Sequence, residues 1–180
     1  MNDKECRESV FYSSDKVNEK FGLNTKGQMV KLIHNSIIAK PTDITGIASF
    51  MIITLEKLYA NGNTVVVTDN YLFKPTNDSQ YEHDLKLILK SLSASKVIHY
   101  GEDKNINKKL FNSVKEYLKQ NETILTHKNL SDFHDRFWIT KETNKGVVIG
   151  TSLNGIGKKI FYYNEIKDEE SVEVLRYLSE

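Results

Sequence analysis

The 180-residue sequence predicts an α/β fold, a mixed and largely parallel sheet flanked by helices. Three observations lead there. Short β-branched runs alternate with amphipathic stretches from residue 36 onward. The run TVVVTD at 64–69 is apolar almost to its end, as in a strand buried on both faces of a parallel sheet. The strand-to-strand spacing across 36–68 matches the roughly 30 residues of a β–α–β crossover.

The elements follow in order. Residues 9–12 form a short β-like run, and the polar stretch after it has no assignable pattern. Met29, Leu32 and Ile33 have the spacing of a helical turn or two. Residues 36–40 read as a strand stopped by Pro41, which has no N–H to give to a ladder. Thr42 or Asp43 can cap the next helix, whose Ile44, Ile47, Ala48, Met51, Leu55 and Leu58 follow the 3.6 period; Gly62 closes it. The strand at 64–69 leads to a polar loop at 70–80 containing Pro75. Leu85, Ile88, Leu89 and Leu92 form one face of a helix over 82–92, and KVIHY at 96–100 is the next strand. Leu110, Phe111, Val114 and Leu118 mark a helix over 110–118, followed by a strand at 122–126. The last third changes rhythm: 133–140 and 146–151 are strands at hairpin spacing. A strand at 159–164 and a helix over 169–178, with Val172, Leu175 and Leu178 inward, complete the chain. The expectation is one domain over 1–180, with 1–28 as an N-terminal extension.

Composition narrows the function classes. Twenty-five Lys and Arg against 24 Asp and Glu leave a net charge of +1, which excludes a supercharged nucleic-acid coat and an acidic disordered tail. Cys6 is the one cysteine, so no intramolecular disulfide forms, and no base stands near it to activate a thiol. The N-terminus is polar and lacks the apolar core of a signal peptide. The most apolar stretch, 44–59, is interrupted by Ser49, Thr54, Glu56 and Lys57 and is too short to span a bilayer. A cytoplasmic protein is the expectation.

The stretch HDRFWITKETNKGVVIGTSLNGIGKK is the densest in chemistry. On a strand, alternation sends His134, Arg136, Trp138 and Thr140 to one face and Asp135, Phe137 and Ile139 to the other. An imidazole and a guanidinium then project side by side. Downstream, Gly150 allows close backbone approach, and Thr151, Ser152 and Asn154 supply hydroxyl and amide donors. Lys158 and Lys159 add two cations after two further glycines. Imidazole, fixed cation and a Gly-hydroxyl-amide turn are equipment for holding a phosphoryl group. Arginine donates bidentately to its oxygens, and histidine can attack phosphorus or move a proton.

On these residues the sequence resembles the phospholipase D superfamily, whose signature is His-x-Lys, an Asp about five residues on, and a Gly-Ser-x-x-Asn turn after a hairpin. The order SIIAKP, helix, NTVVVTD, helix, KVIHY also resembles that of single-motif members, so the resemblance spans 36–166. It implies a histidine nucleophile, no cofactor and no metal, and a homodimer that pairs two motifs across a two-fold axis. It places His134 as nucleophile or acid, Arg136 in the Lys position, Thr151 in the Ser position and Asn154 in the Asn position. Glu165 matches the downstream glutamate that orients the histidine. Arg136 stands where the family has Lys, and the Asp position falls on Lys141. His-Asp-Arg without the Asp is also similar to the degenerate phospholipase D-like domain of certain MIT-domain proteins, which is linked to membranes.

Plainer readings stand beside these. His134 can be a satisfied structural histidine, Arg136 a salt-bridge partner of Asp132 or Glu142, and Lys158 and Lys159 a solvated pair. Trp138 reads better as a core or interface residue than as a stacking platform. Lys104, Lys108, Lys109, Lys115 and Lys119 are interleaved with Glu102, Asp103, Glu116 and Glu122, the pattern of a solvated helix. His34, His83, His99 and His127 lack metal-ligand spacing, and no phosphate-loop or dinucleotide fingerprint occurs. Two functions follow. One is a metal-independent phosphodiesterase, a nuclease acting as a homodimer; the other is a degenerate module that binds phosphorylated ligands, membrane lipid or a protein partner.

Overall fold

The computed structural model describes residues 46–74, 79–130 and 132–179, together with three short strands before them. The chain divides into two compact units, Met1–Ser36 and Ile37–Glu180. In the first, β1 (Val10–Tyr12) and β2 (Val30–Leu32) pair antiparallel, with Phe11 opposite Lys31. The spacing of Met29, Leu32 and Ile33 suggests helix, yet Val30–Leu32 is a strand, because three apolar residues are too few to fix a period and the pairing with β1 decides. Cys6, His34, Pro41, Thr42, Asp43, Ile44 and Pro75, on which the sequence reading leaned, lie outside the described residues.

The second unit holds a seven-stranded sheet in the order β3-β9-β8-β7-β4-β5-β6. Its strands are β3 (Ile37–Ala39), β4 (Thr64–Thr68), β5 (Lys96–Gly101), β6 (Ile124–Asn129), β7 (Arg136–Thr140), β8 (Gly146–Ile149) and β9 (Phe161–Ile166). Only β4–β5 and β5–β6 pair parallel; the other four pairings are antiparallel. The α/β class and mixed sheet stand, but "largely parallel" is corrected. The short links between β7, β8 and β9 make a meander, and that meander fills the middle of the sheet. β3 and β4 point the same way, as a crossover requires, but β9, β8 and β7 lie between them.

Three helices cover one face: α1 (Ile47–Leu55, continued by a 3-10 turn at Glu56–Leu58), α2 (Ser79–Ser91) and α3 (Lys108–Lys119). They pack Met51, Leu55, Leu85, Leu89, Leu110, Val114 and Leu118 against Val65, Val67, Val97, Leu125, Trp138, Val147 and Ile149. Trp138 is 1% exposed, a core residue, so its ring is not available to stack on a ligand. Asn107 caps α3, its side chain accepting from the Lys109 and Leu110 amides. The opposite face is covered by α4 (Asp168–Tyr177), where Val174, Leu175 and Leu178 meet Val66, Ile98 and Tyr100. Asp168, Glu169 and Glu170 in its first turn complement the helix dipole. No helix among the described residues is long and apolar enough to cross a membrane.

Candidate anion-binding site at the end of the sheet

β4 and β8 run one way and β7 and β9 the other, so the C-terminal ends of the first pair and the N-terminal starts of the second share one edge. That edge gathers Thr68, Asp69, Asp135, Arg136, Gly150 and Tyr162. Val67 stands opposite Trp138, so Asp69 and Arg136 each lie two residues further toward the edge, on the same face. Thr68 closes the ladder. Its hydroxyl donates to the Asp135 carbonyl at 3.2 Å and accepts from the Phe137 amide at 2.9 Å. The strand therefore begins at Arg136, and His134 and Asp135 form a bend before it, shorter than the expected 133–140.

Asp69 is 4% exposed. Its Oδ1 accepts from the Tyr71 amide at 2.8 Å. Burial pushes its carboxyl up to about 6, while the Tyr71 amide, the Arg136 guanidinium and the Leu153 amide pull back toward the charged form. A buried acid and a half-buried arginine thus share one end of the sheet.

The turn after β8 closes over them. Leu153–Gly155 is a 3-10 turn, pinned by buried Leu153 and Ile156. The Gly155 amide donates to the Ser152 carbonyl at 2.8 Å, and the Gly155 carbonyl accepts from the amides of Lys158 and Lys159, both at 3.1 Å. Two glycines are required by close approach: a Cβ at Gly150 would fall 2.5 Å from the Tyr162 ring, and one at Gly155 2.1 Å from Thr151 Oγ1. Asn154 Nδ2 donates to the Tyr71 carbonyl at 3.3 Å, so the turn and the loop after β4 are held together.

The structure brings some of the expected residues together and separates others. Arg136 is half-buried, and its guanidinium makes no hydrogen bond or ion pair among the described residues; in particular it pairs with neither Asp132 nor Glu142. Asn154 and half-buried Thr151 share its edge, with Ser152 buried beneath. His134 is exposed at the rim without a side-chain hydrogen bond among the described residues, and Lys158 and Lys159 are exposed beyond the turn. Glu165 is elsewhere: it pairs with Lys57 and occupies the row of Val147 and Trp138, two residues along the strands from the row of Arg136 and Ile149. That offset is about 7 Å along the strand direction. Asp135, on the opposite face, accepts at 2.8 Å from the Tyr162 hydroxyl, whose pKa burial and this carboxylate raise to about 12.

Asp69, Tyr71 and Tyr162 were not singled out from sequence. The signal for Asp69 was present in TVVVTD, an acid at the C-terminal end of a buried strand, where open α/β sheets place their ligand sites.

No protein-family model matches the chain, and no curated protein does. Among solved structures, it is similar to that of TrmBL2, an archaeal chromatin protein that shows a novel mode of DNA binding. The identity is 16% and the TM-score 0.43 over 91% of this chain, which spans 56% of that chain's length. A likeness of that degree fixes neither a family nor a function.

Proposed function

We propose that the chain is a phospholipase D-like module that binds a phosphate-bearing ligand at the sheet edge around Arg136. One observation carries this reading: a half-buried guanidinium left without hydrogen-bond or ion-pair partner among the described residues. Its nitrogens are not among the buried unpartnered atoms, so its donors face solvent and are free to bind, and a phosphate oxygen pair supplies acceptors in matching geometry. Thr151 and Asn154 stand on the same edge, and the exposed Lys158 and Lys159 add positive field at its approach.

The test is calorimetric titration with inorganic phosphate, a mononucleotide and a short oligonucleotide. Arg136→Ala should weaken binding about 10- to 100-fold, the worth of a charge-assisted hydrogen bond. Arg136→Lys should recover only part, since the bidentate fork is lost. Equal affinity of Arg136→Ala and wild type would sink the proposal.

A second reading, hydrolysis of a phosphodiester in a homodimer, is favoured by His134, exposed and unpaired two residues from Arg136. Against it stands the pairing of Glu165 with Lys57, which takes away the carboxylate that the resemblance assigns to orienting the imidazole. Turnover of an oligonucleotide in EDTA that disappears in His134→Ala establishes this reading; binding without turnover retains the first.

A further inference from the structure

Apart from Arg136, two histidines and a carboxylate meet beside the loop after β4. His99 of β5 is fully buried, edge-on to Phe73 with ring centroids 4.9 Å apart. It stacks on His127 of β6 at 5.0 Å, and His127 meets Phe111 of α3 at 6.1 Å. Three polar contacts join in series. His99 Nε2 lies 2.8 Å from the Asp69 carbonyl oxygen, the two Nδ1 atoms lie 2.9 Å apart, and His127 Nε2 lies 2.9 Å from Asp103 Oδ1. The room for this is made at Gly101, where a Cβ would stand 2.9 Å from the His99 ring.

The hydrogens can be counted. A carbonyl and an ionised carboxylate terminate the series, and both only accept. Three contacts therefore need three N–H hydrogens, and two neutral imidazoles supply two. The series closes only with one proton more. His99 is fully buried whereas His127 borders solvent and faces Asp103, so in a closed series His127 is the place for the added proton.

We propose that His99, His127 and Asp103 form a built proton-binding site that clamps the loop after β4 onto β5 and β6. With the proton bound, the series from Asp103 to the Asp69 carbonyl is continuous; without it, one link must open. Among the described residues the surroundings offer no competing partner. Alternation turns Ile98, Tyr100, Thr126 and Lys128 to the other face, where the Lys128 ammonium lies 5.3 Å from the Tyr100 ring centre. The facing group from α3 is Phe111; from the loop after β4 they are Phe73 and the Asp69 carbonyl. On the 3-10 turn at Asp103–Asn105, Lys104 pairs with Glu102. The Asp69 carboxyl points to the Tyr71 amide.

The decisive variant is Asp103→Asn, at an exposed side chain. An amide at 103 can turn its NH₂ toward a neutral His127 Nε2, so the same series closes with no added proton. Nitrogen-15 NMR of the imidazoles at neutral pH should find hydrogen on both ring nitrogens of His127 in the wild type. Asp103→Asn should leave it on Nδ1 alone, with His99 carrying Nε2–H in both proteins. The slopes that His99 and Asp69 give to stability are common to both proteins, so the difference between the two profiles isolates the proton of the clamp. The wild-type melting temperature should fall more with rising pH than that of Asp103→Asn. A singly protonated His127 in the wild type, or equal slopes in the two proteins, would overturn the proposal. Neither readout depends on anion binding, so a chain that binds no phosphate would end the function proposed above and leave this one standing.

Discussion

The side-chain amide of Asn154 donates to the carbonyl of Tyr71, 83 residues earlier, and so joins the turn after β8 to the loop after β4. Asn154→Ala should lower stability by about 1 kcal/mol in urea denaturation, the net worth of one hydrogen bond. Asn154→Asp should cost more than Asn154→Ala, because a carboxylate would then face a carbonyl. Equal costs would mean that the amide does not make this contact in solution.

Asp69 and His99 give opposite pH dependences. Burial pushes the folded Asp69 carboxyl up to about 6 from its ordinary 3.8, so folding takes up a proton between them and stability rises as pH falls through that window. Above about 6 the full penalty, roughly 3 kcal/mol, stands against the fold. Asp69→Asn should therefore stabilise the protein by up to that amount near neutral pH, and by little near the unfolded carboxyl value.

Buried His99 runs the other way. It stays neutral in the fold down to about 4, while an unfolded histidine takes a proton from 6.5 downward, so stability falls as pH falls between these values. In the wild type the two effects largely offset. In Asp69→Asn the acid loss from His99 is unopposed, and denaturation midpoints measured across this window should fall steeply. A level profile would contradict the burial of one of the two groups.

Gly150 and Tyr162 are coupled by contact. A methyl group at 150 would meet the tyrosine ring at 2.5 Å, so Gly150→Ala should cost about 1–3 kcal/mol by overpacking. Tyr162→Leu should relieve most of that cost, and a double-mutant cycle should show strong non-additivity. Additive costs would place the two residues apart.

Glu165 provides a test of how far the phospholipase D resemblance reaches. Its ion pair with exposed Lys57 is remote from His134 in strand register. Glu165→Gln should leave phosphate affinity and any phosphodiester turnover unchanged. A large loss of turnover would restore to Glu165 the histidine-orienting role that the resemblance implies.

Much of this architecture is legible locally. Residues 64–68 and 96–101 are strands because unbroken apolar runs end at polar or glycine residues, and α3 follows from Leu110, Val114 and Leu118 at helical spacing. The site is legible only in part. Gly150 to Asn154 and Arg136 sit on one edge, as their spacing suggested. His134 was read onto a strand that stops short of it, because Thr68, from a different strand, caps the ladder at Asp135. The resemblance named Glu165 but could not reveal Lys57 beside it. Asp69 stands at the end of a legible strand, but its company, Arg136 beside it and the Leu153 amide 84 positions on, is not legible there. Periodicity reports what a segment does with its neighbours, and these contacts are between segments far apart in the chain.

The position of β9, β8 and β7 between β3 and β4 imposes an order of assembly. A chain emerging during synthesis, finished only through β6, has β4, β5 and β6 beside one another, but β3 has no strand to pair with and Asp69 has no Arg136. The last meander must pair with β4 on one side and bring β3 into the sheet on the other. Such long-range pairings form slowly. The candidate anion site therefore forms last, and a chain stopped before β7 would carry the histidine pair of β5 and β6 but not the arginine.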